Sequence, residues 1–151
     1  WSEWTWGWRF TPEVPMTLTG IETLIQRGSG SGFARLYETD TGALIAAGTD
    51  SLPASDATEW RLAPLPPIVL EPGRSYTAAI YYTGGSIGSS PYYAGTSGSY
   101  SRPGVLGDVT FCGSGSAVDA MPTSCGFSQL AERLRVDLPE PAAATRPGAR
   151  R

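Results

Sequence analysis

Histidine, lysine and asparagine are absent from this chain, and each absence removes chemistry. Without histidine there is no Ser-His-Asp or Cys-His relay and no imidazole metal site. Without lysine there is no Schiff base and no Walker lysine to grip a phosphate. Without asparagine there is no N-glycosylation sequon, so a glycan would have to be carried on Ser or Thr. All 11 basic residues are Arg, mostly scattered along a chain of net charge −3. That leaves no continuous cationic face for a phosphate backbone and argues against nucleic acid as a partner. No stretch of ~18 apolar residues and no signal-like segment occurs, so no membrane span is expected. A chain that starts at Trp1 reads as a processed, secreted product.

Carboxylates are the acid/base groups that composition leaves, and a pair of them acting on a glycoside is not excluded by it. The acids, however, fall in turns and strand ends, with no residues for a deep cleft. Glu38, Asp40 and Asp50 would suit a hard cation but lack the spacing of a calcium loop, and they read as exposed turn acids. The expectation is a chain that is not an enzyme, with no catalytic residue, metal or cofactor.

Only two cysteines are present, Cys112 and Cys125, in the Gly/Ser-rich stretch FCGSGSAVDAMPTSCGF. Two are too few for a structural zinc site. They read either as one disulfide, implying an oxidising compartment, or as a pair of unlinked buried thiols. A bridge here would close a loop of about 14 residues and stabilise by roughly 3 kcal/mol in the chain-entropy picture.

With 19 glycines and 13 prolines in 151 residues, the chain favours many short strands joined by turns, and the class is all-β. Four of the five tryptophans fall in the first eight residues, and Trp1 is followed by the alternation Trp4, Trp6, Trp8, Phe10. Period two is the mark of a half-buried strand. Burying each Trp is worth at most roughly 4 to 6 kcal/mol, so such a stripe will not stay in solvent. It either joins its own domain or inserts into a neighbouring copy, and TPEVP, with Pro12 and Pro15, is a plausible hinge for leaving.

MTLTGIETLI is a second strand whose phase switches from Met16 and Leu18 to Ile21 and Ile25, with a bulge expected at Gly20. GSGSG at 28–32 reads as a turn. FARLYETDTGALIAAGT reads as a hairpin in which Ala34 and Leu36 answer Leu44 and Ala46 across Asp40, Thr41 and Gly42. Further strand signals alternate at Trp60 and Leu62, at Ile68 and Leu70, and from Tyr76 to Tyr82 as in an antiparallel sheet with one face covered. VLGDVTF restores a strand, and AERLRVDL closes the fold with Leu134, Val136 and Leu138 inward. Tyr81, Tyr92, Tyr93 and Tyr100 offer rings that stack on sugar faces beside an Arg or Asp. The organisation is an aromatic strand over 1–11, a β domain over 12–138 and a Pro/Ala/Arg tail over 139–151.

GWRFTPE, TLTGIETL, ARLYETDTGALIAAGT and Trp60 with PIVLEPGRSYTAAIYY resemble the bacterial extracellular family catalogued as domain of unknown function 4082. The likeness runs from Gly7 to about Gly84 and rests on turn and core residues. It implies an antiparallel β-sandwich of jelly-roll type on a secreted or cell-surface protein, and it carries over no catalytic residue. LPEPAAA at 138–144 is similar to the Pro-Glu-Pro motif of bacterial sorting tails, here without the membrane helix that follows in them. The leading expectation is a structural surface or fibre subunit. It would self-assemble by strand complementation through Trp1, Trp4, Trp6, Trp8 and Phe10, with other copies of itself as partner. The alternative is a module that binds polysaccharide.

Overall fold

Alternating large apolar and small or polar side chains find their two environments in strands throughout the molecule. The computed structural model describes residues 3–25, 31–50, 59–83, 100–102, 105–113, 119–126 and 132–138. In chain order the strands are β1 (Glu3–Phe10), β2 (Met16–Ile25), β3 (Ser31–Glu38), β4 (Leu44–Ala47) and β5 (Glu59–Leu70). They continue with β6 (Tyr76–Thr83), β7 (Tyr100–Arg102), β8 (Leu106–Gly113), β9 (Ser124–Cys125) and β10 (Glu132–Asp137). No helix occurs among the described residues. The larger sheet runs β4-β3-β6-β1-β8-β7, with β9 also on β8, and the smaller runs β10-β2-β5. Every pairing between strands is antiparallel. The chain winds between the layers, with β1, β3, β4 and β6–β9 in one and β2, β5 and β10 in the other: an antiparallel β-sandwich of jelly-roll-like winding.

β1 lies inside the large sheet of its own chain. It pairs along its whole length with β6, from Glu3 opposite Thr83 to Phe10 opposite Tyr76, and over Trp6–Arg9 with β8. Trp6, Trp8 and Phe10 share the face turned toward the small sheet. Phe10 is fully buried, while Trp6 and Trp8 are half-buried. Phe111 of β8 receives both indoles, Trp6 stacked at 5.6 Å and Trp8 edge-on at 5.4 Å between ring centroids. Such pairs add about 0.5–1.5 kcal/mol to their burial. The indole Nε1 of Trp8 is buried without a hydrogen-bond partner, so the ring and not the donor fixes that position.

The phase switch in β2 occurs as the pattern requires. Met16, Leu18 and Ile21 are all buried in the core, and register irregularities toward both β5 and β10 fall between Leu18 and Gly20. One residue out of phase turns the following side chains to the opposite face, which is how Leu18 and Ile21 share the core. A side chain at Gly20 would meet Ala63 O at 2.7 Å. Between the sheets, these residues pack with Phe10, Leu36, Ala63, Leu65, Leu70, Tyr76, Ile80 and Val109.

Several expectations are corrected. The TPEVP connection is fastened rather than hinge-like: Glu13 N–H donates to Val105 O, Gly73 N–H to Pro12 O and Gly107 N–H to Thr11 O, each at 2.9 Å. Pro12 takes part through its carbonyl, which needs no N–H of its own. The separate signals around Trp60 and Ile68 form one strand, β5, and it is Ala63, Leu65 and Leu70 that are buried while Trp60 and Leu62 are exposed. Relative to β2, β5 carries additional residues at Leu65–Pro67, where its prolines interrupt the ladder. Leu44 opposes Tyr37, not Ala34 or Leu36, because the register shifts between Leu36 and Tyr37, and it is 53 % exposed. Leu138 lies past the end of β10 and is exposed, whereas Leu134 and Val136 pack on the core. The Gly/Ser run ends sooner than its composition implies, since β3 begins at Ser31. Finally, β6 is covered on both faces: Thr77 and Ala79 are as fully buried as Ala78 and Ile80. The tail over 139–151 lies outside the described residues.

Gly7 sets how closely β1 and β6 approach. A Cβ there would lie 2.2 Å from Ala78 O and 2.5 Å from Ala79 Cβ, so backbone would have to move. Gly7→Ala is expected to lower stability by about 1–3 kcal/mol. Gly107→Ala, whose nearest neighbour is Thr11 O at 3.5 Å, should change it by less than about 0.5 kcal/mol. Urea denaturation of the two variants side by side checks this, and equal losses would contradict it.

Candidate functional site

In β3 the alternation FARLYE buries Ala34 and Leu36 in the core and turns Phe33, Arg35 and Tyr37 to the outer face of the large sheet. An arginine with aromatics two residues on either side lies between them on a pleated surface. The Arg35 guanidinium carbon is 5.6 Å from the ring centroid of Phe33 and 5.5 Å from that of Tyr81 on the adjacent β6. Both rings are half-buried.

Four hydrogen bonds hold the guanidinium. Nε donates to Asp119 Oδ1 and Nη2 to Asp119 Oδ2, both at 2.8 Å, a bidentate fork. Nη1 donates to Ala34 O at 3.0 Å and Gly48 O at 3.2 Å. The Tyr37 hydroxyl donates to Asp119 Oδ1 across 3.5 Å. The Arg35 side chain is 11 % exposed and that of Asp119 39 %, so the carboxylate is the member that meets solvent.

Charge and burial both act on this group. The hydrogen bond to Asp119 raises the Arg35 pKa above its ordinary value, against the opposing effect of burial. Burial raises the Tyr37 pKa well above 10, and the nearby Asp119 charge raises it further. Both shifts carry the groups away from neutral pH, opposite to what an acid/base catalyst needs.

Asp119 is delivered by the disulfide loop. Cys112 and Cys125 are bonded to each other and face one another in the β8–β9 pairing. Asp119 lies between them in sequence, yet it sits at β3, three strand spacings from β8 in the order β3-β6-β1-β8. Three spacings are about 14 Å. The six residue-to-residue steps from Gly113 to Asp119 reach about 20 Å when extended, enough to span them. On the return, Met121 Cε approaches the Gly42 turn, at 3.8 Å from where a Cβ would stand, and Pro122 is fully buried. The outer face of this sheet is therefore held at both ends, by a disulfide on β8 and by an ion pair on β3.

Of the residues expected to function, Trp6, Trp8 and Phe10 converge on β6 and β8. Trp4 has its backbone opposite Tyr82, and its side chain lies outside the described residues, as does Trp1 altogether. Tyr81 stands in the Arg35 cluster. Tyr92 and Tyr93 lie outside the described residues, and Tyr100 is placed by its backbone alone, opposite Val109. Glu38 is engaged by Arg74 and by the Thr41 hydroxyl, and Asp40 and Asp50 are exposed. Arg35, Tyr37, Phe33 and Asp119 were not expected. The alternation of Phe33, Arg35 and Tyr37 on one face was the readable signal. Asp119, 84 residues away, carried none.

Among the described residues, no helix is long and apolar enough to cross a membrane, and no cluster of three or more Cys, Asp or Glu could hold a metal ion. Comparisons with protein-family models, curated proteins and solved structures found no match.

Removing the Asp119 carboxylate leaves Arg35 charged, nearly buried and short of two acceptors. Asp119→Ala is expected to cost about 1–3 kcal/mol, less than for a fully buried pair because Asp119 is part-exposed. A urea midpoint that does not move would count against the pair. The Tyr37 contribution is complete below about pH 10 and is lost as the pH rises beyond it, since the unfolded chain then releases a proton that the folded chain retains. Tyr37→Phe should flatten this alkaline loss. Urea midpoints measured from about pH 8 to about pH 11 would show equal slopes in the two proteins if Tyr37 were not responsible.

Proposed function

We propose that this chain is a non-catalytic, extracellular structural subunit whose copies assemble through the N-terminal strand. The observation that carries the reading is the place of β1. β6 and β8 each pair with β1 and, among the described residues, not with each other, so the large sheet is complete only when a strand with this aromatic pattern fills the slot. A strand in a central slot can be supplied by the chain itself or by a neighbouring copy.

The fastened TPEVP connection keeps a closed protomer closed, so exchange belongs to the folding of chains in each other's presence. The closed and exchanged forms bury the same rings, so burial does not separate them. Joining two molecules costs an association entropy on the order of 4–15 kcal/mol, and high protein concentration during folding is what favours exchange. The disulfide fits an oxidising, extracellular setting. The engaged Arg35, Tyr37 and Asp119 support a structural rather than catalytic part for their cluster.

A second reading, a polysaccharide-binding module, is favoured by one observation: two half-buried rings, Phe33 and Tyr81, flank an arginine on an outer sheet face.

Refolding the full chain from denaturant at low and at high protein concentration tests the first reading. Monomers are expected from the dilute sample and polymers from the concentrated one, seen by size-exclusion chromatography with light scattering and by electron microscopy. Monomers at every concentration would place β1 permanently in its own sandwich and end the assembly proposal.

A further inference from the structure

We propose that the Arg35 cluster is a receptor for the carboxylate of an acidic sugar, a uronate within a polysaccharide, and that Asp119 occupies it in cis. This deepens the polysaccharide-binding reading and rests on it.

The geometry is that of carboxylate recognition. The guanidinium presents Nε and Nη2 as a fork to both oxygens of one carboxylate, and two backbone carbonyls fix the other side of the group so that the fork points in one direction. Tyr37 reaches the same carboxylate with its hydroxyl. Phe33 and Tyr81 add aromatic surface within 5.6 Å of the cation.

A uronate carries its carboxylate directly on a pyranose ring whose C–H bonds pack on aromatic carbon, so fork and rings are matched by one sugar residue. A peptide carboxylate on a flexible stem uses the fork and leaves the rings unused. The present occupant enters from the solvent side: the Asp119 side chain is 39 % exposed, against 11 % for Arg35. Asp119 is also tethered to β8 through the disulfide loop and competes as a local ligand. Short tethers give effective concentrations on the order of millimolar, which a multivalent polyanion can match and a single weak sugar cannot.

The test compares the full-length protein, Asp119→Ala and the double variant Asp119→Ala with Arg35→Met. Each is titrated calorimetrically with oligogalacturonate, with a neutral galactan oligosaccharide and with a polyglutamate peptide. Asp119→Ala is expected to bind oligogalacturonate at least about tenfold more tightly than the unaltered protein, as removal of a tethered competitor implies. Its thermal midpoint should rise with that sugar, and the double variant should show neither effect.

Equal binding of the neutral and acidic oligosaccharides would overturn the carboxylate assignment while leaving the polysaccharide reading standing. Preference for polyglutamate would overturn the sugar assignment. A folded Asp119→Ala that binds none of the three would overturn both. If that variant does not fold, Asp119→Asn replaces it, and the unaltered protein supplies an independent readout. Its Arg35 Nε–H resonance should shift on saturation with oligogalacturonate and not with neutral galactan, and an unmoved resonance would overturn the proposal.

Discussion

The large sheet depends on the two ladders of backbone hydrogen bonds along the edges of β1. Without them β4-β3-β6 and β8-β7 with β9 are separate pieces, and the inner face on which Phe10, Tyr76, Ile80 and Val109 meet the small sheet is split down its middle. The strand fits because one edge approach is unusually close. Gly7 admits the backbone of β6 on one side, while Gly113 of β8 leaves room for the Trp6 ring, which lies 3.2 Å from where a Cβ would stand. Large rings on the inner face and a missing side chain on the outer are thus two halves of one solution, and neither residue type would serve in the other's place.

The outer face follows from this arrangement. A central strand flanked on both edges has side chains on two faces, and of those on β1 and β6 that point outward, Thr5, Thr77 and Ala79 are buried while Arg9 and Tyr81 are half-buried. Burial of a sheet's second face needs a cover. Asp119, carried between Cys112 and Cys125, contributes on the outer face at β3, on a chain fastened to β8 by a covalent bond and to β3 by the Arg35–Asp119 pair. The fastenings support one another physically: the disulfide limits the freedom of the loop that carries Asp119, so the ion pair forms at a smaller entropic cost than it would on an open chain. Satisfying Arg35 with four acceptors makes a nearly buried cation tolerable in a sheet face lined by aromatic carbon.

A bidentate carboxylate fork between rings is a structural fastening when its carboxylate is tethered and a recognition site when the carboxylate is supplied from outside. The chemistry of the two is identical, and only the effective concentration of the tethered group separates them.

What the sequence by itself determined is everything governed by local period and local backbone chemistry. The all-β class, the alternation of β1 and β6, the reversal at Gly42 with its positive φ of 70° and the change of phase at Gly20 were legible because each depends on neighbours a few residues apart. Absences were legible for the same reason, since no fold can supply a histidine or a lysine that the chain lacks. The register of β4, the single path of β5 past its prolines and the cover on the second face of β6 were not, because strand partners and stacked layers are chosen by global packing. The site shows the division most clearly. Phe33, Arg35 and Tyr37 share a face by virtue of period two, but that Asp119, 84 residues away, closes on Arg35 was decided only when the sheet order placed β3 within reach of a loop anchored on β8.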